Sequence, residues 1–220
     1  VDLLVDAGNT RCKARLGQGP VVRSADPGAL PWAGATRVVL LPTAAGPARA
    51  LAAVAAQRGI PVLTVGRDLP LPDVGQYPGM GLDRIVAGLA VPAPVVVVDA
   101  GTACTLTAWD GGPRLRGGLI LPGIRACAAG LHALAPALPE VAPGTLDPCA
   151  RTPDEAIANG LAIGWPGLVG AALARLRAVT GITTVVATGG DADRLADAGV
   201  LARSWIHPDL VLDGLATLIP

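Results

Sequence analysis

Short apolar runs alternate with amphipathic stretches along this chain, and their lengths predict strands and helices in turn. Residues 1–7 are an apolar run that leads into Asp6-Ala7-Gly8, and 13–16 and 21–24 are two further short strands, so a meander is predicted. Residues 37–43 form an unbroken apolar run suited to a strand covered on both faces. The Ala-rich stretch 46–58 reads as a helix and 61–65 as another strand, which makes a strand, helix, strand crossover. A Pro- and Gly-rich stretch, 67–81, precedes a helix at 82–89, whose end is punctuated by Pro92 and Pro94. The domain boundary is placed there, giving segments 1–92 and 93–220.

The pattern then restarts. Residues 95–101 are an apolar strand ending in a second Asp-Ala-Gly, 103–109 alternate like a second strand, and 115–121 supply a third. Asp6 and Asp99 thus occupy the same place in two similar halves, which predicts an internal duplication. Helical patterns follow at 124–134 and 153–179, then a buried strand at 184–188, a short helix after Asp191 and a final helix from about 208. Strands alternating with helices put both halves in the α/β class.

Composition narrows the function classes. The 220 residues are 51% hydrophobic and 15% charged, which excludes a disordered chain. Seventeen basic residues balance seventeen acidic ones, leaving no electrostatic footprint for nucleic acid or an anionic membrane surface. Small-molecule partners are expected. The apolar run 85–98 is too short to span a bilayer, is broken by Pro92 and Pro94, and ends at Asp99, so no membrane association is expected. Asp2 and Asp6 stand where a secretory signal would carry positive charge, and a cytoplasmic location is expected. Cys12, Cys104, Cys127 and Cys149 are widely spaced and read as buried reduced thiols, while His132 and His207 read as structural. One lysine stands against sixteen arginines, which marks Lys13 as a position where a compact ammonium is not exchanged for a guanidinium.

Three constellations carry candidate chemistry. In Asp6-Ala7-Gly8-Asn9-Thr10, a glycine with positive φ would let successive backbone amides point at a phosphate. Asp6 would hold hydrated magnesium and Lys13 would reach a phosphate oxygen; the alternative is an ordinary hairpin turn. Asp99-Ala100-Gly101-Thr102-Ala103 repeats this chemistry in the second half, so two phosphate loops would clamp one nucleotide. The amides of Gly189 and Gly190 could meet its ribose or adenine, with Asp191 alternatively or additionally capping the helix that follows. In Gly81-Leu82-Asp83-Arg84, Asp83 and Arg84 fall in the first turn of a helix. They are either a capping acid and a surface arginine, or a general base and an anchor for an anionic substrate in phosphoryl transfer.

At these residues the chain resembles the type III pantothenate kinase family, almost end to end. Asp6-x-Gly-Asn-Thr-x-x-Lys13 is similar to that family's first phosphate motif, Gly81-x-Asp-Arg84 to its pantothenate motif, and Asp99-x-Gly-Thr-Ala to its second phosphate motif. Further matches follow in the family's order: Gly117-Gly118-x-Ile120-x-Pro122-Gly123, Leu138-Pro139-x-Val141, Thr152 with Ala156-Ile157-x-x-Gly160, Thr188-Gly-Gly-Asp191 and Pro208-Asp-Leu-Val-Leu212.

The resemblance implies an actin-like ATPase fold of two duplicated ribonuclease-H-like domains around a nucleotide cleft, assembled as a homodimer. It implies ATP-dependent phosphorylation of pantothenate to 4′-phosphopantothenate, the first step of coenzyme A biosynthesis. By the same resemblance Asp83 is the proton acceptor, and Gly81, Leu82, Asp83, Arg84 and Thr152 contact pantothenate, Thr152 across the dimer interface. Asp6, Ala7, Gly8, Asn9, Thr10, Arg11, Cys12 and Lys13 with Thr102 bind ATP, accompanied by Mg²⁺ or another divalent cation at Asp6. Asp99 binds an activating monovalent cation, potassium or ammonium. The family's substrate-contacting tyrosine would fall at position 74, which is Val74 here, so either Tyr77 replaces it or the contact is absent. The chain is short for the family and begins at Val1, which suggests a trimmed terminus or an unusual start codon. A sugar kinase of the same fold and a nucleotide-responsive scaffold are the competing readings.

Overall fold

The computed structural model describes residues 1–112 and 114–219. It divides into two compact units. The first comprises Val1–Ala93 and Gly112–Leu115 with the segment from Asp209 onward, the second Pro94–Gly111 and Arg116–Pro208.

In the first unit the apolar runs become β1 (Asp2–Ala7), β2 (Cys12–Leu16), β3 (Val21–Ser24), β4 (Arg37–Leu41) and β5 (Val62–Thr64). They form one sheet in the order β3-β2-β1-β4-β5. The first three are antiparallel, and β4 and β5 run parallel to β1. Parallel neighbours need a crossover, and α1 (Ala45–Gln57) supplies it. The strand expected over 37–43 stops at Leu41, because Pro42 has no N–H to give to a ladder.

Strand alternation sorts the side chains of β1. Leu3, Val5 and Ala7 enter a core with Val38, Leu40, Leu51 and Ala55, so Leu4 and Asp6 face the other side of the sheet. Lys13 is paired opposite Asp6, and Arg15 opposite Leu4, on that same face. There α6 (Leu210–Ala216) packs, with Arg15 Nη1 2.5 Å from Asp213 Oδ1 and Nη2 donating to the Leu212 carbonyl at 3.3 Å. Helix α2 (Leu82–Leu89) lies against α6. The last helix of the chain is therefore part of the first unit, where Leu210, Val211, Leu212 and Leu215 are buried.

The second unit repeats the opening of the first. β6 (Val95–Ala100), β7 (Ala103–Asp110), β8 (Arg114–Pro122) and β9 (Val185–Thr188) form a sheet ordered β8-β7-β6-β9, which matches β3-β2-β1-β4. β6 is antiparallel to β7 and parallel to β9. The duplication read from the two Asp-Ala-Gly sequences is thus a duplication of strand order. Val96, Val98 and Ala100 pack with Leu106, Ala108 and residues of α3 (Ile124–Leu134), α4 (Pro153–Thr180) and α5 (Ala192–Asp197). Asp99, one residue out of phase, faces away from that core, as Asp6 does in the first unit.

Helix α4 is the one helix among the described residues long and apolar enough to cross a membrane by length and composition. One face of it enters the core of the second unit through Trp165, Val169 and Leu173, and most of its other residues are exposed or half-buried. The four cysteines are free. Cys12 and Cys104 are buried as expected, but Cys127 is half-buried and Cys149 is exposed, since Cys149 lies in the irregular segment before α4. His132 Nδ1 is 2.6 Å from the Leu138 carbonyl oxygen, a local tie between α3 and the loop after it.

Candidate active site

β1 ends in Asp6-Ala7, and the chain returns through Gly8, Asn9, Thr10 and Arg11 into β2. This sets Asp6 opposite Lys13 and Ala7 opposite Cys12. Asn9, Thr10 and Arg11 are exposed and Lys13 is half-buried. The positive φ expected at Gly8 is not used. A Cβ there would lie 3.1 Å from the Arg11 carbonyl oxygen, a tight contact, so the close approach of the two limbs of the loop favours glycine. Gly101, in the corresponding loop of the second unit, also lacks a positive φ.

Asp6 is 7% exposed, and Thr43 Oγ1 donates to its Oδ1 at 2.7 Å. Burial pushes the Asp6 carboxyl above the ordinary range. The Thr43 hydroxyl and the Lys13 ammonium oppose the rise, and the charge of Asp83 adds to it. The first unit therefore brings Asp6, Lys13, Thr43 and Asp83 into one electrostatic neighbourhood. Thr43 was not singled out from the sequence. The only signal was a polar residue at the end of the apolar run 37–43, directly after Pro42.

Gly81 is the residue before the first turn of α2 and brings no side-chain cap. Asp83 Oδ1 instead accepts from the Arg84 backbone N–H at 2.9 Å. The φ of Gly81 is an ordinary −58°, yet a Cβ there would lie 2.5 Å from Asp83 Oδ1. The missing side chain leaves room for the carboxylate. Leu82 and Asp83 are half-buried, and Arg84 is only 5% exposed, which excludes a surface arginine. Arg84 Nη1 donates to the Tyr77 hydroxyl at 2.7 Å, and Tyr77 is 46% exposed. Val74, by contrast, is 2% exposed.

The second loop runs through Gly101 and the exposed Thr102 between β6 and β7. Asp99 is in register with Thr105 on one side and Thr188 on the other. The Gly123 amide donates to the Thr102 carbonyl at 3.1 Å, and a Cβ on Gly123 would fall 2.2 Å from the Gly101 carbonyl oxygen. Gly189 has φ +95°, and a Cβ on it would lie 2.5 Å from the Ala100 backbone. Gly190 is exposed beside it. Asp191 does not cap α5 through its side chain. Its amide donates to the Ala100 carbonyl at 3.0 Å and its carboxylate pairs with Arg194 at 3.3 Å. Burial pushes the Cys104 thiol up to about 12, with the charges of Asp99 and Asp191 adding to the effect.

Thr152 is the N-cap of α4. Its Oγ1 accepts from the Glu155 amide at 3.2 Å, while Glu155 Oε2 accepts from the Arg151 amide at 2.9 Å. The exchange satisfies two amides at the start of the helix. Beside it lies an open pocket of about 720 Å³ lined by Val141, Thr145, Asp147, Cys149, Arg151, Asn159 and their neighbours.

A family model described as type III pantothenate kinase matches residues 2–175. A type III pantothenate kinase of Thermosynechococcus vestitus is 40% identical over 149 residues, 64% of this chain and 56% of that protein. One from Rhizorhabdus wittichii is 33% identical over 154 residues, 66% of this chain and 59% of that protein. The matched segments thus span less than two thirds of these relatives. Among solved structures, a protein of Campylobacter jejuni assigned to the Baf family of transcriptional activators superposes with a TM-score of 0.65 at 22% identity, covering 99% of this chain and 96% of that one. A ROK family glucokinase from Streptomyces griseus, in complex with glucose and AMPPNP, superposes with a TM-score of 0.51 at 14% identity, covering 98% of each chain. These superpositions establish a shared fold.

Proposed function

The chain belongs to the type III pantothenate kinase family, and from that premise we propose that it phosphorylates pantothenate to 4′-phosphopantothenate with ATP, the first step of coenzyme A biosynthesis. The observation that carries the reading is the gathering of Asp6, Lys13 and Asp83 within one unit of the matched segment.

In this reading the loop from Asp6 to Lys13 is the ATP-binding element of the first unit, and Thr102 with the amides of Gly189 and Gly190 are the nucleotide-binding groups of the second. Lys13 holds a phosphate oxygen by its ammonium. Asp83 accepts the proton of the pantothenate hydroxyl as that oxygen bonds to the γ-phosphorus. The bond from the γ-phosphorus to the bridging oxygen breaks, and ADP leaves. Arg84, held by Tyr77, binds the pantothenate carboxylate, and the buried position of Val74 supports Tyr77 as the substrate-facing tyrosine of this chain. Gly81 and Leu82 line the same side chains, and Thr152 contributes a hydroxyl to the substrate.

Among the described residues no group of three or more His, Cys, Asp or Glu side chains forms a ready metal cage. Asp6 offers a hard carboxylate oxygen, its other oxygen being held by Thr43, and this suits Mg²⁺, which keeps most of its waters and needs one or two carboxylates. When bound, the divalent ion neutralises charge on the transferring phosphoryl group. Asp99 would hold the monovalent ion, potassium or ammonium. We further propose a cytoplasmic homodimer whose active site lies at or near the interface. Exposed apolar residues of the second unit, Ile120, Leu134, Ile163 and Leu168, support an association of this kind.

The test is ADP release by the purified chain with magnesium and potassium supplied, with pantothenate or glucose as acceptor and the product identified by mass. Pantothenate-dependent release is expected. A preference for glucose overturns the acceptor assignment, and nucleotide binding without turnover on any acceptor favours a scaffold.

A further inference from the structure

We propose that Thr43 is a positioning residue for phosphoryl transfer: its hydroxyl holds one carboxylate oxygen of Asp6 and so aims the other at the cation that accompanies the nucleotide. The inference rests on the kinase reading above.

Asp6 and Thr43 come from neighbouring parallel strands. Asp6 is in register with Leu41, the last residue of β4, and Pro42 ends that strand. The chain folds back at once, with the Thr43 amide donating to the Leu41 carbonyl at 3.0 Å, and α1 begins at Ala45. This junction grips the end of β1 twice. The Ala44 amide donates to the Ala7 carbonyl at 2.8 Å, and Thr43 Oγ1 donates to Asp6 Oδ1 at 2.7 Å. One bond fixes the main chain at the mouth of the loop and the other fixes the carboxylate.

The second bond has a job that the backbone cannot do. The terminal torsion of an aspartate is broad, so the plane of the carboxylate is set by its partners. Threonine is suited to setting it, since branching at Cβ restricts χ1 and with it the direction of the hydroxyl. The remaining groups around Asp6 act by charge: Lys13 from β2 attracts it and Asp83 from α2 repels it. Both charges act over a distance, whereas the hydrogen bond holds Oδ1 itself at 2.7 Å from the Thr43 hydroxyl.

Calorimetric titration of AMPPNP, with and without magnesium, tests this in the full chain. Thr43→Val removes the hydroxyl at nearly constant shape, Thr43→Ala removes it without the branched bulk, and Thr43→Ser keeps it. We expect the magnesium-dependent gain in AMPPNP affinity to fall by about tenfold to a hundredfold in Thr43→Val and Thr43→Ala. Thr43→Ser should restore it, and metal-free affinity should be equal in all. Circular dichroism melting identifies any variant that has lost its fold. A wild-type magnesium dependence in a folded Thr43→Val or Thr43→Ala protein, or a loss in Thr43→Ser as large as theirs, overturns the inference alone. Wild-type protein that binds no AMPPNP overturns the kinase reading and this inference with it.

Discussion

Gly214 of α6 lies so close to Val86 of α2 that a Cβ built on it would sit 1.9 Å from the Val86 carbonyl oxygen. The family match ends at residue 175, so this contact comes from a part of the chain outside it. Yet α2 carries Asp83 and Arg84 in its first turn, and α6 is the surface against which it rests. Gly214→Ala forces the two helices apart. Overpacking of this kind costs about 1–3 kcal/mol, which urea denaturation would register. Turnover should fall as well, well below the melting temperature, because the helix bearing Asp83 is displaced. Unchanged stability would show that α2 is not seated on Gly214.

Replacing Asp83 by asparagine keeps the shape of the side chain and removes the proton acceptor. Turnover should drop by roughly 10²–10⁴-fold, with AMPPNP affinity changed by a few-fold at most. Steady-state rates at saturating pantothenate decide it, and a variant as fast as the wild type would remove Asp83 from the chemistry.

Tyr77→Phe deletes the hydroxyl that accepts from Arg84 Nη1. The guanidinium then loses a partner that sets its direction, so the KM for pantothenate should rise about tenfold while kcat changes little, as expected for a hydrogen bond to a charged group. An unaltered KM would argue that Arg84 is oriented by other contacts.

Cys149 is exposed, whereas Cys12 and Cys104 are buried, and alkylation at neutral pH followed by peptide mapping should modify the first and spare the other two until the protein unfolds. The Cys104 thiol, held up to about 12, also gives stability a sign against pH. Below the ordinary thiol pKa near 8.5 both folded and unfolded chains keep the proton, so its contribution is fully present. Above that, the unfolded chain releases a proton that the folded chain retains, and stability declines as pH rises toward 12. Cys104→Ala should flatten that part of the profile in denaturant titrations, and an unchanged slope would assign it elsewhere.

Much of the candidate site was legible because its signals are local. Asp6 and Asp99 each close a short apolar run, and the structure puts each at the end of the first strand of its unit, on the face turned from the helical core. Gly123 and Gly189 were legible as motif residues, but their purpose was not. Each makes room for the backbone around the second loop, at Gly101 or Ala100, a demand that only packed coordinates express. The cap expected from the Asp191 side chain is absent because that carboxylate meets Arg194 instead.

What the amino-acid order determined by itself was the set of elements and their class. Strand alternation, helical stretches and proline punctuation act over a handful of residues, so α2 spans Leu82–Leu89 and α3 spans Ile124–Leu134 as the pattern predicts. What only the tertiary structure decided was which distant side chains meet. Thr43 reaches Asp6 across 37 residues, and Arg15 meets Asp213 across 198. Such meetings depend on strand register and on which helix covers which face of a sheet. Those are properties of the whole packed unit, and no short stretch of chain encodes them.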